Sequence, residues 1–470
     1  MDRVEKIARY CLWLLPLLYL GVVRLGFGFN GLYGQDAYEY LRYTNSVKDA
    51  IISGADAGTF FWPVNYPLLA ALMGFVIHDI SSSLQLVSAV SLIATGVFIC
   101  KSIHLLLPKA HISGLFVVLS ITLSAWMIRS STLVMSDLLA LSLFSMGIYY
   151  SLLGRSTLQR RHLFLTAFSF SLAVFTRYGY AFLIIPFCFL LLFELLKKKN
   201  VYSTSYLLLG LILGALPTMV FKTDFRFGLT DHHFLSDWSI ANIFHSSFES
   251  ANGILNYSLP NFIHVSAWLW HPGFCWWIGI ALLATPHLFR SDFNKIVSTS
   301  ILLYALFLAG TPEQNLRYLM PLLPLSVLIS YPGFSKLVWL AKIRWRFLII
   351  AALVAIQFAL SIRAFSTPFH LHRLEKSIFQ TLEKMASTEI YTFGIQQALI
   401  GLESHHEVHS LHEQFYETYP AESLILFNPQ QFSSQWNASP VMLNWNHIQS
   451  HIKTDTVVYF ADGWILVRVP

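Results

Sequence analysis

The chain has 470 residues, of which 55% are hydrophobic and 12% charged, with a formal net charge of +6 and a mean hydropathy of +0.56. Soluble globular proteins are about a quarter charged, so this composition excludes that class and indicates a protein that crosses a membrane several times. The positive charge does not indicate nucleic-acid binding, because basic residues set the topology of such proteins.

Eleven apolar stretches are long enough to cross about 30 Å of hydrocarbon as helices. They lie near residues 10–27, 84–107, 112–128, 134–153, 163–176, 180–196, 202–221, 263–289, 294–310, 316–332 and 346–362. The sequence therefore predicts an α-helical polytopic membrane domain over residues 1–362. Basic residues precede the first stretch, as in a signal peptide, but no small-x-small cleavage site follows it, so we interpret it as an uncleaved helix.

Lysine and arginine support this topology, because every second connection is basic, as the positive-inside rule requires. An odd number of spans then puts the C-terminus on the opposite side from a cytoplasmic N-terminus. The predicted cytoplasmic residues are Arg3, Lys6, Arg9, Lys101, Lys109, Arg155, Arg160, Arg161, Lys197, Lys198, Lys199, Arg290, Lys295, Lys336, Lys342, Arg344 and Arg346. The four cysteines, Cys11, Cys100, Cys188 and Cys275, all lie in apolar runs and imply neither a disulfide framework nor a metal site.

Three segments are predicted on the outer side. Residues 28–83 form a first loop with two interfacial helices, "DAYEYLRYTNSVKDAIISG" and "FFWPVNYPLLAALMGF". Residues 222–262 form a second loop that contains "TDHHFLSD". Residues 363–470 carry alternating runs such as "EIYTFGI" and "TVVYFA", which predict a small extracytoplasmic α/β domain.

Several basic residues belong to the outer half, where ionisable groups are costly and often functional. They are Arg24, Arg42, Lys48, Arg129, Arg177, Lys222, Arg226 and Arg317. The guanidinium fork suits phosphate, so Arg129, Arg177 and Arg317 are candidates for an anionic lipid head, with Tyr178 and Tyr318 beside them. The alternative is that each arginine extends to outer-leaflet phosphates.

Asp36 follows the first span and allows two interpretations. A carboxylate at the membrane–water boundary can act as a general base. It can also cap the helix "AYEYLRYTNSV", with Glu39 at the third position. In the second loop, "TDHHFLSD" offers metal-type ligands, but an exposed polar loop is the favoured interpretation.

The order of these motifs resembles the polytopic glycosyltransferases of the GT-C superfamily, in the branch of protein O-mannosyltransferases and lipid A aminoarabinose transferases. The resemblance spans roughly residues 10–330. It is carried by Asp36 in the first loop, Tyr66–Leu69 closing that loop, Asp137 in "VMSDLLAL", and Arg317–Pro321. Many relatives have an adjacent Asp-Glu pair, whereas Ala37 follows Asp36 here.

The resemblance implies a sugar donor on polyprenyl phosphate and an acceptor hydroxyl on a lipid, glycan or protein. Transfer then occurs with inversion on the outer face of the inner (plasma) membrane. Asp36 is the expected general base. The expected substrate-binding residues are Glu39, Asp137, Arg129, Arg177, Tyr178, Arg317 and Tyr318. No glycine-rich phosphate loop and no D-x-D signature is present, so we expect no cofactor and no metal.

Two other functions remain open. A flippase or transporter for a lipid-linked glycan also needs outward arginines, but such proteins often contain broken helices or internal repeats, which this sequence does not display. An O-antigen polymerase or ligase acts on similar lipids, but tends to have its main outward loop late in the chain. Here the first loop is the largest in the membrane part.

Overall fold

The structure is a computed structural model. It describes residues 2–157, 159–197, 201–222, 233–250, 252–285, 290–340, 343–386, 389–437 and 439–470. The helices, in chain order, are α1 (Asp2–Gly21), α2 (Gly34–Ser53), α3 (Asn65–Gly74), α4 (Ile80–Leu106), α5 (Ser113–Val117), α6 (Ala125–Thr132), α7 (Asp137–Thr157), α8 (Arg160–Val174), α9 (Tyr180–Lys197), α10 (Val201–Phe221), α11 (His233–Ser236), α12 (Asn261–Val265), α13 (Ala267–Trp270), α14 (Trp277–Ala284), α15 (Asp292–Ala309), α16 (Leu322–Leu340), α17 (Ile343–Leu382), α18 (Gln396–Gly401), α19 (Pro429–Phe432) and α20 (Pro440–His451).

Among the described residues, seven helices are long and apolar enough to cross a membrane, and they coincide with seven of the eleven predicted spans. An eighth predicted span, 112–128, corresponds to a helix pair that bends by 67° between Thr122 and Ala125. The chain is thus a mostly helical protein with several membrane-spanning helices. Of the remaining three regions, 163–176 and 263–289 form shorter helices and 316–332 leads into the apolar helix Leu322–Val338, so the total of eleven stays a prediction.

The predicted span at 263–289 differs most from the structure. It consists of α12, α13, a 3-10 turn at Pro272–Phe274 and α14 rather than one helix. Pro272 lacks the amide that a helix interior needs. The chain then turns at Cys275, whose φ of 68° is left-handed and incompatible with a continuous helix.

The loop of residues 28–83 contains two helices, α2 and α3, where two were predicted. Aromatic side chains of this loop pack on one another: the rings of Tyr43 and Phe60 stack with their centroids 4.0 Å apart. Lys222, at the end of α10, is buried and donates to the carbonyls of Phe60 at 3.1 Å and Phe61 at 2.9 Å. A lysine among aromatic rings satisfies its charge through backbone oxygens, and it fixes this loop against the helix bundle.

The C-terminal part contains a five-stranded sheet with the strand order β4-β3-β5-β7-β6. Its strands are β3 (Glu389–Thr392), β4 (Glu407–Ser410), β5 (Leu424–Phe427), β6 (Asp455–Tyr459) and β7 (Ile465–Arg468), numbered after the hairpin β1 (Ser247–Ser250) and β2 (Gly253–Asn256). Strand β3 pairs in parallel with β4 and β5, and the two remaining pairings are antiparallel. The central strand β5 is buried along its whole length, as its apolar sequence "LILF" requires.

The long helix α17 links the membrane part to this sheet. Its 40 residues span about 60 Å at 1.5 Å per residue, which is twice the thickness of the hydrocarbon core. Side chains of the sheet and of α2 share one hydrophobic core, in which Tyr38 and Leu424 are both buried. Helix α18 approaches α2 closely, because a Cβ on Gly401 would lie 3.0 Å from the Tyr38 side chain.

Candidate active site

A cavity of about 300 Å³ lies where the loop of residues 28–83 meets the ends of several helices. It combines one carboxylate, two guanidinium groups and many aromatic rings. Its lining comprises Asp36, Tyr40, Trp62, Pro63, Met135, Ser136, Thr176, Arg177, Tyr178, Gly179, Tyr180, Ala181, Phe182, Phe234, Leu235, Tyr304, Phe307, Leu308, Arg317 and Tyr318. Five of the eight predicted site residues therefore meet in one place: Asp36, Arg177, Tyr178, Arg317 and Tyr318.

Asp36 is the third residue of α2, and its carboxylate accepts a hydrogen bond from Arg317 at 3.0 Å. The capping interpretation is wrong, because α2 begins at Gly34 after an extended Tyr33. The amide of Gly34 instead donates to the carboxylate of Glu375, 2.8 Å away on α17. Asp36 is therefore free to face the cavity, and its side chain keeps 32% of its surface exposed.

The second guanidinium of the cavity belongs to Arg177, which forms an ion pair with Asp137. The Asp137 side chain is only 7% exposed and does not line the cavity. The ring of Tyr318 lies between both arginines, 5.5 Å from the Arg177 guanidinium and 5.2 Å from that of Arg317. An aromatic face in this position favours both cations and holds them near each other despite their like charges.

Besides Asp137, two predicted residues, Arg129 and Glu39, lie outside this cavity. Arg129 donates to the Tyr33 hydroxyl at 3.1 Å, and its guanidinium lies 4.7 Å from the Trp126 ring. Glu39 forms a two-bond ion pair with Arg42, with distances of 2.7 and 2.5 Å. Direct contact of Arg129 and Glu39 with substrate stays a prediction: Glu39 is paired with Arg42, and Arg129 contacts a hydroxyl and an aromatic ring.

Sequence reasoning missed several cavity residues. Tyr40 donates to the Ser136 hydroxyl at 2.9 Å, and Met135 contacts Arg317 at 3.3 Å through its sulfur. Trp62 lines the wall that Lys222 fixes. Two sequence features could have indicated this wall: the lysine at the end of an apolar span and the aromatic run "FFW" in the first loop.

Two phenols of the cavity, those of Tyr40 and Tyr178, are poor bases at neutral pH. Burial raises the pKa of Tyr178 to about 12, and burial also raises the pKa of Tyr40 above its usual range. Both hydroxyls thus stay protonated. Among the described residues that line the cavity, Asp36 is the one carboxylic acid available to accept a proton.

Groups of metal-type ligands occur away from this cavity. Within the described parts of the chain they are Glu5 with Cys100 and His104, and Glu383 with His405 and His406. The segment "TDHHFLSD" begins with Thr230, Asp231 and His232, which lie outside the described residues.

Comparison with known proteins identifies a family that the sequence matches and a solved structure with a similar fold. Residues 59–414 match the model of the Alg9-like mannosyltransferase family. The fold resembles ArnT from Cupriavidus metallidurans bound to undecaprenyl phosphate, with a TM-score of 0.62 and 11% identity over 98% of this chain and 97% of that one. The apo structure of the same protein gives a TM-score of 0.57 and 11% identity over 96% of this chain and 97% of that one. A search of curated protein sequences finds no match.

Proposed function

The chain belongs to the Alg9-like mannosyltransferase family and is a membrane glycosyltransferase of the GT-C superfamily, and from this premise we propose how it works. We propose that it moves a sugar from a polyprenyl-phosphate donor to an acceptor hydroxyl with inversion, with Asp36 as general base. One observation carries this proposal. A single carboxylate and two arginines, Arg177 and Arg317, face the same cavity.

The two arginines and Tyr318 are the proposed site for the donor phosphate. A solved structure with this fold, ArnT from Cupriavidus metallidurans, was obtained with undecaprenyl phosphate bound, which supports a lipid-linked donor. Guanidinium groups bind phosphate oxygens through two parallel hydrogen bonds. As the bond to the phosphate breaks, negative charge grows on it, and both arginines stabilise that charge.

The proposed reaction is a direct displacement. The acceptor oxygen forms a bond to the anomeric carbon while the bond from that carbon to the phosphate oxygen breaks. The hydroxyl proton passes to Asp36, and the lipid phosphate leaves with the electron pair of the broken bond. This scheme requires neither a cofactor nor a metal ion.

The ion pair between Arg317 and Asp36 gives this scheme an order of binding. While Arg317 donates to Asp36 at 3.0 Å, that carboxylate oxygen is occupied by the hydrogen bond and is not available to the acceptor hydroxyl. A donor phosphate competes for the same guanidinium. Its arrival draws Arg317 away and leaves Asp36 free to accept a proton, so the donor binds before the acceptor reacts.

Two of the predicted substrate-binding residues take indirect roles in this proposal. Asp137 orients Arg177 from behind, as a buried carboxylate does for a functional guanidinium. Glu39 holds Arg42, whose guanidinium also donates to the carbonyl of Thr59 at 3.1 Å, and this pair steadies the first loop.

We further propose that the cavity and residues 363–470 lie outside the cytoplasm, with the N-terminus inside an inner (plasma) membrane. This orientation follows from the alternation of basic connections. A periplasm-dependent reporter fused after Pro470 should be active, and a cytoplasm-dependent one should be silent. Strong activity of the cytoplasmic reporter would reverse the assignment of the two faces.

The activity itself is tested with membranes that contain the protein and radiolabelled polyprenyl-phosphate sugars. We expect the label to leave the lipid and appear in an acceptor. Movement of intact donor across the membrane without transfer of the sugar would instead support the transporter.

A further inference from the structure

We propose that Glu383, His405 and His406 form a binding site for a transition-metal dication of the Zn²⁺ type, separate from the catalytic cavity. Each residue offers one ligand atom, and these atoms all lie within 4.8 Å of one another. Two imidazoles and one carboxylate are a ligand set that zinc commonly uses.

His406 is the strongest element of this site. The residue is only 5% exposed, and its Nε2 lies 3.0 Å from the carbonyl oxygen of Leu382. Because a carbonyl only accepts, Nε2 carries the proton and Nδ1 keeps its lone pair. That Nδ1 is buried and has no hydrogen-bond partner among the described residues. Metal-bound histidines have this same arrangement, with one nitrogen donating to a carbonyl and the other free for the metal.

The other two ligands reach the same point from the more exposed side. His405 lies with its Nδ1 2.9 Å from Glu383, and its ring centroid is 3.8 Å from that of His406. Ser404 donates to the other carboxylate oxygen at 2.8 Å and so orients Glu383. The His405 side chain is 47% exposed, which leaves room for small adjustments and for a water molecule as fourth ligand.

The group of Glu5, Cys100 and His104 provides a useful contrast. The Glu5 carboxylate already accepts hydrogen bonds from the amides of Gly114 at 2.8 Å and Leu115 at 3.1 Å. The guanidinium of Arg9 lies 2.8 Å from the His104 ring, and this cation would repel a metal ion. In that group the carboxylate already accepts hydrogen bonds and a cation lies beside the histidine, whereas the buried Nδ1 of His406 has no partner among the described residues.

A metal at the proposed site would join two parts of the fold. Glu383 directly follows α17, and the two histidines directly precede β4. Between them in sequence lies α18, which packs against α2 through Gly401 and Tyr38. The ion would thus fix the end of the long helix to the sheet beside the helix that carries Asp36.

The test uses the full-length protein in detergent, stripped with a chelator and then titrated with ZnCl₂ alone. We expect one zinc per chain, retained through gel filtration and counted by elemental analysis, and a rise in Tm. Glu383→Gln and His405→Ala should each weaken zinc binding by about ten-fold or more. His405 is largely exposed, so its substitution should leave the apo protein folded.

The matched control is His447→Ala, which removes a half-buried histidine of α20 and should leave zinc binding unchanged. Equal zinc content and equal Tm shifts in the wild type, Glu383→Gln and His405→Ala would overturn the proposal. The measurement needs no glycosyltransferase substrate, so its outcome is independent of the proposed catalytic role of Asp36.

Discussion

The two ends of the helix bundle each hold a carboxylate beside an arginine, and the two carboxylates differ in how their oxygens are used. At the end predicted to be cytoplasmic, Glu5 accepts from Arg9 at 3.1 Å, from the Ser113 hydroxyl at 3.2 Å and from two backbone amides. At the other end, Asp36 accepts from Arg317, and the described residues provide it with no second partner.

This difference separates a carboxylate that is used by the fold from one that has an oxygen left to bind another molecule. Glu5 caps the first amides of α5, so its two oxygens are committed to the fold. Asp36 keeps an oxygen towards a cavity that also contains Arg177. An arginine partner is common to both carboxylates, so that partner does not identify a functional acid. The distinguishing feature is the number of hydrogen-bond donors that the chain itself supplies to each carboxylate.

The largest expected effect is that of Asp36→Asn on transfer. Asparagine keeps the size and an acceptor oxygen but removes the basic group, so turnover should fall by about 10²–10⁴, the usual contribution of a positioned base. Radiolabel transfer under saturating donor measures it, with Glu5→Gln as the control at the opposite end. Near-normal turnover of Asp36→Asn would show that its carboxylate is as structural as that of Glu5.

Removal of either cavity arginine should have the next largest effect. Arg177→Ala and Arg317→Ala each lose charge-assisted phosphate contacts worth about 1.5–3 kcal/mol, so kcat/KM for the donor should fall by roughly one to two decades. Arg155→Ala is the matched control, because Arg155 pairs with Glu194 at 2.9 Å away from the cavity. If all three variants lose donor efficiency equally, the arginines of the cavity hold no phosphate.

A smaller effect is expected at Glu375, which binds the first amide of α2 two residues before Asp36. Glu375→Ala should lower turnover by up to about ten-fold with little change in donor KM, since losing such a helix-end contact costs about 0.5–2 kcal/mol. Glu375→Gln keeps an acceptor oxygen and should restore most of the turnover. A rise in donor KM with unchanged turnover would argue against a positioning role through Asp36.

The smallest effect on catalysis should follow Glu5→Gln. This change removes one of two charged acceptor oxygens and should cost about 1–3 kcal/mol of stability. Thermal unfolding in detergent should therefore shift to lower temperature, while turnover per folded molecule stays within about two-fold. A loss of turnover beyond the folded fraction would break the distinction between the two ends.

Local features were predictable from the sequence, and long-range pairings were not. The helix from Gly34 to Ser53 follows from its own composition, and so do seven of the spans. The residue at which that helix begins could not be predicted, because the amide of Gly34 is bound by Glu375, which lies 341 residues away. Proximity of Asp36 and Arg317 was anticipated only through resemblance, since 281 residues separate them.

Side-chain placements that the sequence did not anticipate have the same origin. Arg129 has the residue type and membrane depth of a phosphate ligand, yet the packing of α6 turns it towards Trp126 and Tyr33. Conversely, Tyr40 and Ser136 carry no individual motif. They enter the cavity because α2 crosses the start of α7, which a reading of local patterns does not reveal.

The contact between Gly34 and Glu375 has a consequence for biogenesis. The helix that carries Asp36 emerges early from the ribosome and inserts at the membrane surface, but the acceptor for its first amide is encoded 341 residues later. Until α17 has been synthesised, the start of that helix has only water or lipid headgroups to bind. Complete ordering of this helix start therefore waits for α17, and a polypeptide released before residue 375 would lack the contact that Glu375→Ala removes.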